Sequence, residues 1–110
     1  TLTIRSEKRV VVLSIEEIIV FESQKEYIKV HTKSKPHLTK YSLSKIEHEL
    51  DDSIFLRVHR SFIINLRHLK SFSSSEVEVG NMTIPIGGNY KASVDMRLRS
   101  LFERDFTDQF

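Results

Sequence analysis

Between Phe55 and Leu69 the chain reads FLRVHRSFIINLRHL, which sets Arg57, Arg60, Arg67, His59 and His68 among eight apolar side chains. Two kinds of chemistry use such donors. Catalysis needs a nucleophile, a base and an orienting group in register, or a complete ligand set for a metal. His31, His37, His48, His59 and His68 are scattered singly, and there is no Cys. None of these histidines forms an i, i+4 pair on a helix. His59 and Ser61 lie two apart on extended chain, without a third group or an oxyanion donor. Gly87-Gly88 lacks the spacing and the Lys-Ser ending of a phosphate-binding loop. The residues argue against an enzyme, and they imply neither a metal nor another cofactor. The second chemistry is recognition of a polyanion, for which a guanidinium fork suits both phosphate oxygens and the guanine edge.

Charge placement points the same way. The net charge is only +2 over 110 residues. Residues 53–75, however, hold Arg57, Arg60, Arg67 and Lys70 with no acid, and residues 25–40 hold five lysines against Glu26. Between these blocks, residues 41–52 carry Lys45 against Glu47, Glu49, Asp51 and Asp52. Blocked basic charge favours a polyanionic partner, though a charge block can also be a solvated face. With 39% hydrophobic and 29% charged residues, the chain suits one globular domain with a modest core. No apolar run approaches the roughly 20 residues of a membrane span, and the lack of cysteine fits a reducing cytoplasm.

The elements that must position these donors are mostly strands. LTIR, RVVVL, EIIVFES, EYIKVHT and HLTKYS read as strands of four to seven residues, several with period-2 alternation. VEVG and MTIPI are separated by Gly80-Asn81, a tight hairpin turn, and Pro85 places the second of them at an edge or a terminus. Alternation predicts an antiparallel sheet that buries one face and leaves the other open. Two segments read as helical. SLSKIEHELDD aligns Leu43, Ile46 and Leu50, with a capping box from Ser44 to Glu47. NYKASVDMRLRSLF aligns Tyr90, Val94, Leu98, Leu101 and Phe102, with Asn89 as N-cap.

The run FLRVHRSFIINLRHLKSF resembles the signature of the LytTR (LytR/AlgR-type) DNA-binding domain of bacterial response regulators. Its Phe-x-Arg-x-His-x-Ser-aromatic-x-x-Asn pattern falls here on Phe55, Arg57, His59, Ser61, Phe62 and Asn65. IEEIIVFESQKEYIKVHT, LSKIEHEL and IPIGGNYKASV are similar to the flanking family elements, so the resemblance spans nearly the whole chain. It implies an elongated, mainly β fold that enters DNA with loops rather than a recognition helix. It further implies binding of paired direct repeats by two copies, and a receiver domain preceding this one. On this reading residues 1–110 are a single output domain cut from a longer regulator.

The resemblance also proposes residue roles. Arg60 stands where the family reads a base or a phosphate. Arg57, on the same extended stretch, is expected to project toward phosphate, and Ser61 to donate to phosphate. QKEYIK corresponds to the first DNA-entering loop, with Lys25 and Lys29 contacting phosphate or base and Tyr27 adding an apolar contact. At the third contact the family often carries an Arg, whereas this chain reads Gly87-Gly88-Asn89-Tyr90-Lys91. Asn89 can read adenine or cap the helix, and Lys91 can hold phosphate beside a helix N-terminus. His59 and Asn65 are expected to bond backbone in an irregular turn. Two other readings remain, a single-strand or RNA binder and a protein-interaction module. A single-strand binder would need exposed aromatics, for which Tyr27 is the main candidate.

Overall fold

β-Branched runs joined by two-residue turns favour short antiparallel strands. The computed structural model describes residues 1–103 and contains strands β1 (Leu2–Ser6), β2 (Arg9–Leu13), β3 (Ile18–Gln24), β4 (Tyr27–Thr32) and β5 (His37–Lys40). After helix α1 (Leu43–Glu49) come β6 (Phe55–His59), β7 (Phe62–Asn65), β8 (Leu69–Phe72), β9 (Glu76–Val79) and β10 (Met82–Pro85), and then helix α2 (Lys91–Phe102). The mainly β architecture with one mid-chain and one C-terminal helix is as expected. The molecule is elongated, 54 × 26 × 22 Å.

At the centre lies a five-stranded antiparallel sheet ordered β5-β4-β3-β7-β6. The β1-β2 hairpin and α1 cover one face, burying Ile4, Leu13, Leu43 and Ile46 against Phe21, Ile28, Val30, Phe55 and Ile63. A second sheet, β10-β9-β8, and α2 cover the other face, burying Val77, Val79, Ile84, Val94 and Leu98 against Val20, Val58 and Ile64. The expectation of one buried face is therefore corrected, because β3, β7 and β6 are enclosed on both sides. This is why Ile18–Phe21 is continuously apolar rather than alternating. A bulge between Ile18 and Val20 adjusts the phase, so that Ile18 and Phe21 join one core and Val20 the other.

The helix ends also differ from expectation. Ser42, not Ser44, caps α1, its hydroxyl accepting from the Lys45 N–H at 3.2 Å. α2 starts after a single 3-10 turn, Gly88–Tyr90, with Tyr90 at the N-cap position and no side-chain cap. Asn89 therefore caps nothing. Val94 and Leu98 are buried as the helical stripe requires, but Leu101 and Phe102 are each 48% exposed. The Gly80-Asn81 turn closes β9 onto β10 with Gly80 at φ +59, where a Cβ would sit 3.0 Å from the Ile19 side chain. Pro85 ends the edge strand β10, where its missing N–H costs no ladder bond.

Candidate nucleic-acid interface

Antiparallel pairing decides which turns meet. Gln24 pairs with Tyr27 across the two-residue turn Lys25-Glu26, and Lys25 takes a left-handed φ of 58. His59 pairs with Phe62 across Arg60-Ser61. Because β3 and β7 are neighbours, with Glu22 opposite Phe62, both turns lie at the same end of the central sheet. A bond from the Ser23 N–H to the Ser61 carbonyl, 2.9 Å, extends the ladder up to the turns. The connection to α2 joins them. The Gly87 N–H donates to the Val58 carbonyl at 2.9 Å, so residues 87–91 run along the outer edge of β6. A Cβ on Gly87 would lie 3.3 Å from the His59 ring and 3.2 Å from Tyr90, which leaves glycine as the residue that fits this approach.

One end of the molecule thus gathers the three segments expected to touch DNA. Lys25, Arg60, Asn89 and Lys91 are exposed there, Tyr27 is 44% exposed, and Ser61 is half-buried. Lys29 lies two residues into β4, half-buried opposite Glu22, so it sits behind the turn rather than in it. Register adds two residues that sequence reasoning missed. Lys40, at the end of β5, is the cross-strand partner of Tyr27, and Gln24 is the last residue of β3; both are exposed. The signal was in the alternation of HLTKYS, but only the pairing register aligns Lys40 with Tyr27.

The β6-β7 turn is braced from below. The Ser61 N–H donates to His59 Nδ1 at 3.0 Å, which places the His59 ring proton on Nε2. The His59 ring packs edge-on against Phe62, with centroids 5.5 Å apart. Arg57 departs from expectation. Its side chain is only 11% exposed, and it points back into the fold instead of outward. Nε donates to the His59 carbonyl at 2.9 Å, one Nη donates to the Arg60 carbonyl, and the other pairs with Glu47 of α1 at 2.8 Å. A bulge between Arg57 and His59 directs the chain toward this arrangement.

Asn65, fully buried at the far end of β7, behaves as expected of scaffolding. Its amide nitrogen donates to the carbonyls of Ile15 (3.0 Å) and Ile18 (2.7 Å), and its oxygen accepts from the Arg67 N–H at 2.9 Å. Arg67 and His68 lie at that far end, both engaging Glu16. The stretch FLRVHRSFIINLRHL therefore divides, and Arg60 is the arginine it presents at the turn. Among the described residues no group of three or more His, Asp and Glu could hold a metal ion, and no helix is long and apolar enough to cross a membrane.

One end of a doubly covered β-sheet thus presents basic and amide side chains from three loops, an arrangement suited to a polyanion. The family pattern of the LytTr DNA-binding domain matches residues 8–104, and the chain belongs to that family. A LytTr DNA-binding domain from Bacillus cereus has the same fold, with a TM-score of 0.73 and 25% identity, covering 88% of this chain and 94% of that one. The heme-containing CO-sensing transcriptional regulator RcoM 1 of Paraburkholderia xenovorans is 38% identical over 60 residues, 54% of this chain and 22% of that protein. The sensory transduction protein LytT of Bacillus subtilis is 33% identical over 61 residues, 56% of this chain and 25% of that protein. The transcriptional regulatory protein LytR of Staphylococcus aureus is 29% identical over 70 residues, 64% of this chain and 28% of that protein. The chain thus aligns with about a quarter of the length of these relatives.

Proposed function

We propose that this domain binds double-stranded DNA sequence-specifically through the three loops at one end of its central sheet, as the output module of a cytoplasmic transcriptional regulator. The carrying observation is the convergence of the Lys25-Glu26 turn, the Arg60-Ser61 turn and the Gly87–Lys91 connection. Strands spaced about 4.8 Å apart put the first turn and the third loop roughly 17 Å apart. That is about half of the roughly 34 Å between successive major grooves, so the three loops together reach from one major groove across the backbone toward the next. Arg60 reads a base edge or clamps phosphate. Asn89 reads adenine, its amide making no hydrogen bond among the described residues. Lys25, Lys91 and Lys40 hold phosphates, with Ser61 donating to one and Lys29 reaching another along the face it shares with Tyr27. Tyr27 packs against a base or sugar.

Two copies on paired direct repeats, and a receiver domain ahead of this one, complete the reading. It has no catalytic step. The relatives include a protein named as a CO sensor and others named as LytR and LytT, which fits a common output module. Titration against duplex and single-stranded probes at two salt concentrations tests the proposal. Tighter duplex binding that weakens with salt is expected. Equal affinity for single strands, or binding indifferent to salt, would overturn it. Selection from a randomised duplex library then returns the site and the repeat spacing.

A further inference from the structure

Arg57 is the most engaged cation in the neighbourhood of the three loops, and the DNA-binding role does not use its charge. Its guanidinium meets three separate parts of the chain. Two of its nitrogens donate to the carbonyls of His59 and Arg60, in the two peptide groups that flank the Cα bearing the Arg60 side chain. A third pairs with Glu47 on α1 at 2.8 Å. The guanidinium carbon lies 5.9 Å from the centroid of the Tyr90 ring, at the start of α2. Tyr90 in turn packs close to Gly87, whose N–H is bonded to β6.

We propose that Arg57 is a positioning residue: it locks the Arg60-Ser61 turn to the Gly87–Lys91 loop and holds both reading elements in one fixed relation. Planarity suits it to this task. A guanidinium fork can satisfy two carbonyls and a carboxylate in its plane while its face lies against an aromatic ring. A lysine ammonium, a point charge on a flexible stem, cannot hold all of these directions together. Glu47, anchored on a helix packed into the core, keeps the guanidinium turned inward when phosphates approach. A side chain that reads a base discriminates only if its support prevents it from following the wrong base, so the loss of this brace falls on specificity. The proposal rests on the DNA-binding reading given above, but bracing itself is measurable in the free protein.

Three measurements on Arg57→Ala and Arg57→Lys test it. In the free domain, amide hydrogen exchange at residues 59–62 should accelerate by about tenfold or more in both variants, while the buried amides of β3 stay protected. Unchanged exchange at the turn overturns the brace whether or not the domain binds DNA. On DNA, both variants should lose about tenfold or more on the selected site and about twofold or less on random duplex. Their slope of log affinity against log salt should match the parent. An equal loss on both duplexes with a slope reduced by about 0.9 would make Arg57 a phosphate contact and overturn the proposal. Full discrimination in Arg57→Lys would likewise overturn it. Should neither Arg57 variant fold, Glu47→Gln, at a partly exposed position, carries the test. Loss of discrimination with random-duplex affinity kept supports the proposal, and unchanged discrimination overturns it. A parent domain that binds no duplex at all refutes the functional reading instead, and the exchange data still decide the brace.

Discussion

The N–H of Ser23 donates to the carbonyl of Ser61 across 2.9 Å, and this bond ties the two hairpin turns at the proposed DNA-binding end to one another. Ser23 precedes the Lys25 turn by two residues, and Ser61 is itself half of the Arg60 turn. The distance between the two turns is thereby set by a sheet ladder instead of by loop flexibility. Positions on paired strands are the most rigid a small β domain can offer.

Arg60→Ala is the direct test of reading from this turn. Its affinity for the selected site should fall by about 1–3 kcal/mol, with a smaller loss on random duplex. Competition binding with single-base variants of the site would then show relaxed preference at one position. Equal losses on both duplexes would reassign Arg60 to phosphate.

Asn89→Ala separates base reading from helix capping. Its side chain caps nothing, so the thermal midpoint should move by no more than the few degrees typical of a surface change. Base preference should change at a single position. A drop in stability with preference intact would return Asn89 to the helix end.

Lys25→Ala, Lys40→Ala and Lys91→Ala should each weaken binding on cognate and random DNA alike. Each is expected to lower the salt slope by about 0.9 if it neutralises one phosphate. Lys40 is the informative case, because only pairing register puts it beside Tyr27. A slope equal to that of the parent would remove it from the interface.

Asn65→Ala should act on stability alone. The substitution strips partners from the Ile15 and Ile18 carbonyls and from the Arg67 N–H; the Ile18 bond is buried and the other two are part-buried. Leaving such groups unpaired costs about 1–3 kcal/mol each, less whatever water recovers, so a total near 3 kcal/mol is expected by urea unfolding. Folded variant below its transition should still discriminate sites as the parent does.

Much of this arrangement was legible in the residues. Alternation in EYIKVHT, the Gly80-Asn81 turn and the apolar stripe through Val94 and Leu98 each report a local rule of backbone geometry, and local rules are written in local sequence. The motif from Phe55 to Asn65 marked the family, and it marked His59 and Asn65 as scaffolding. Misplaced features depended on distant neighbours. The Ser44–Glu47 spacing suggested a capping box, yet the cap of α1 is Ser42, two residues earlier. Leu101 and Phe102 continue the stripe of α2, yet both remain half exposed.

By itself, the sequence determined seven of the ten strands among the described residues, the two helices and the residue types that can grip a polyanion. Those properties follow from periodicity, turn chemistry and side-chain charge. The stretch read as extended around His59 and Ser61 folds instead as the β6-β7 hairpin. Only the tertiary structure decided that three loops far apart in the chain share one sheet end, that Lys40 joins them, and that Arg57 turns inward while Arg60 turns out. Whether a guanidinium faces solvent or carbonyls depends on which acceptors the fold brings within reach. For Arg57 these include Glu47, ten residues earlier, and the ring of Tyr90, which no local pattern places beside it.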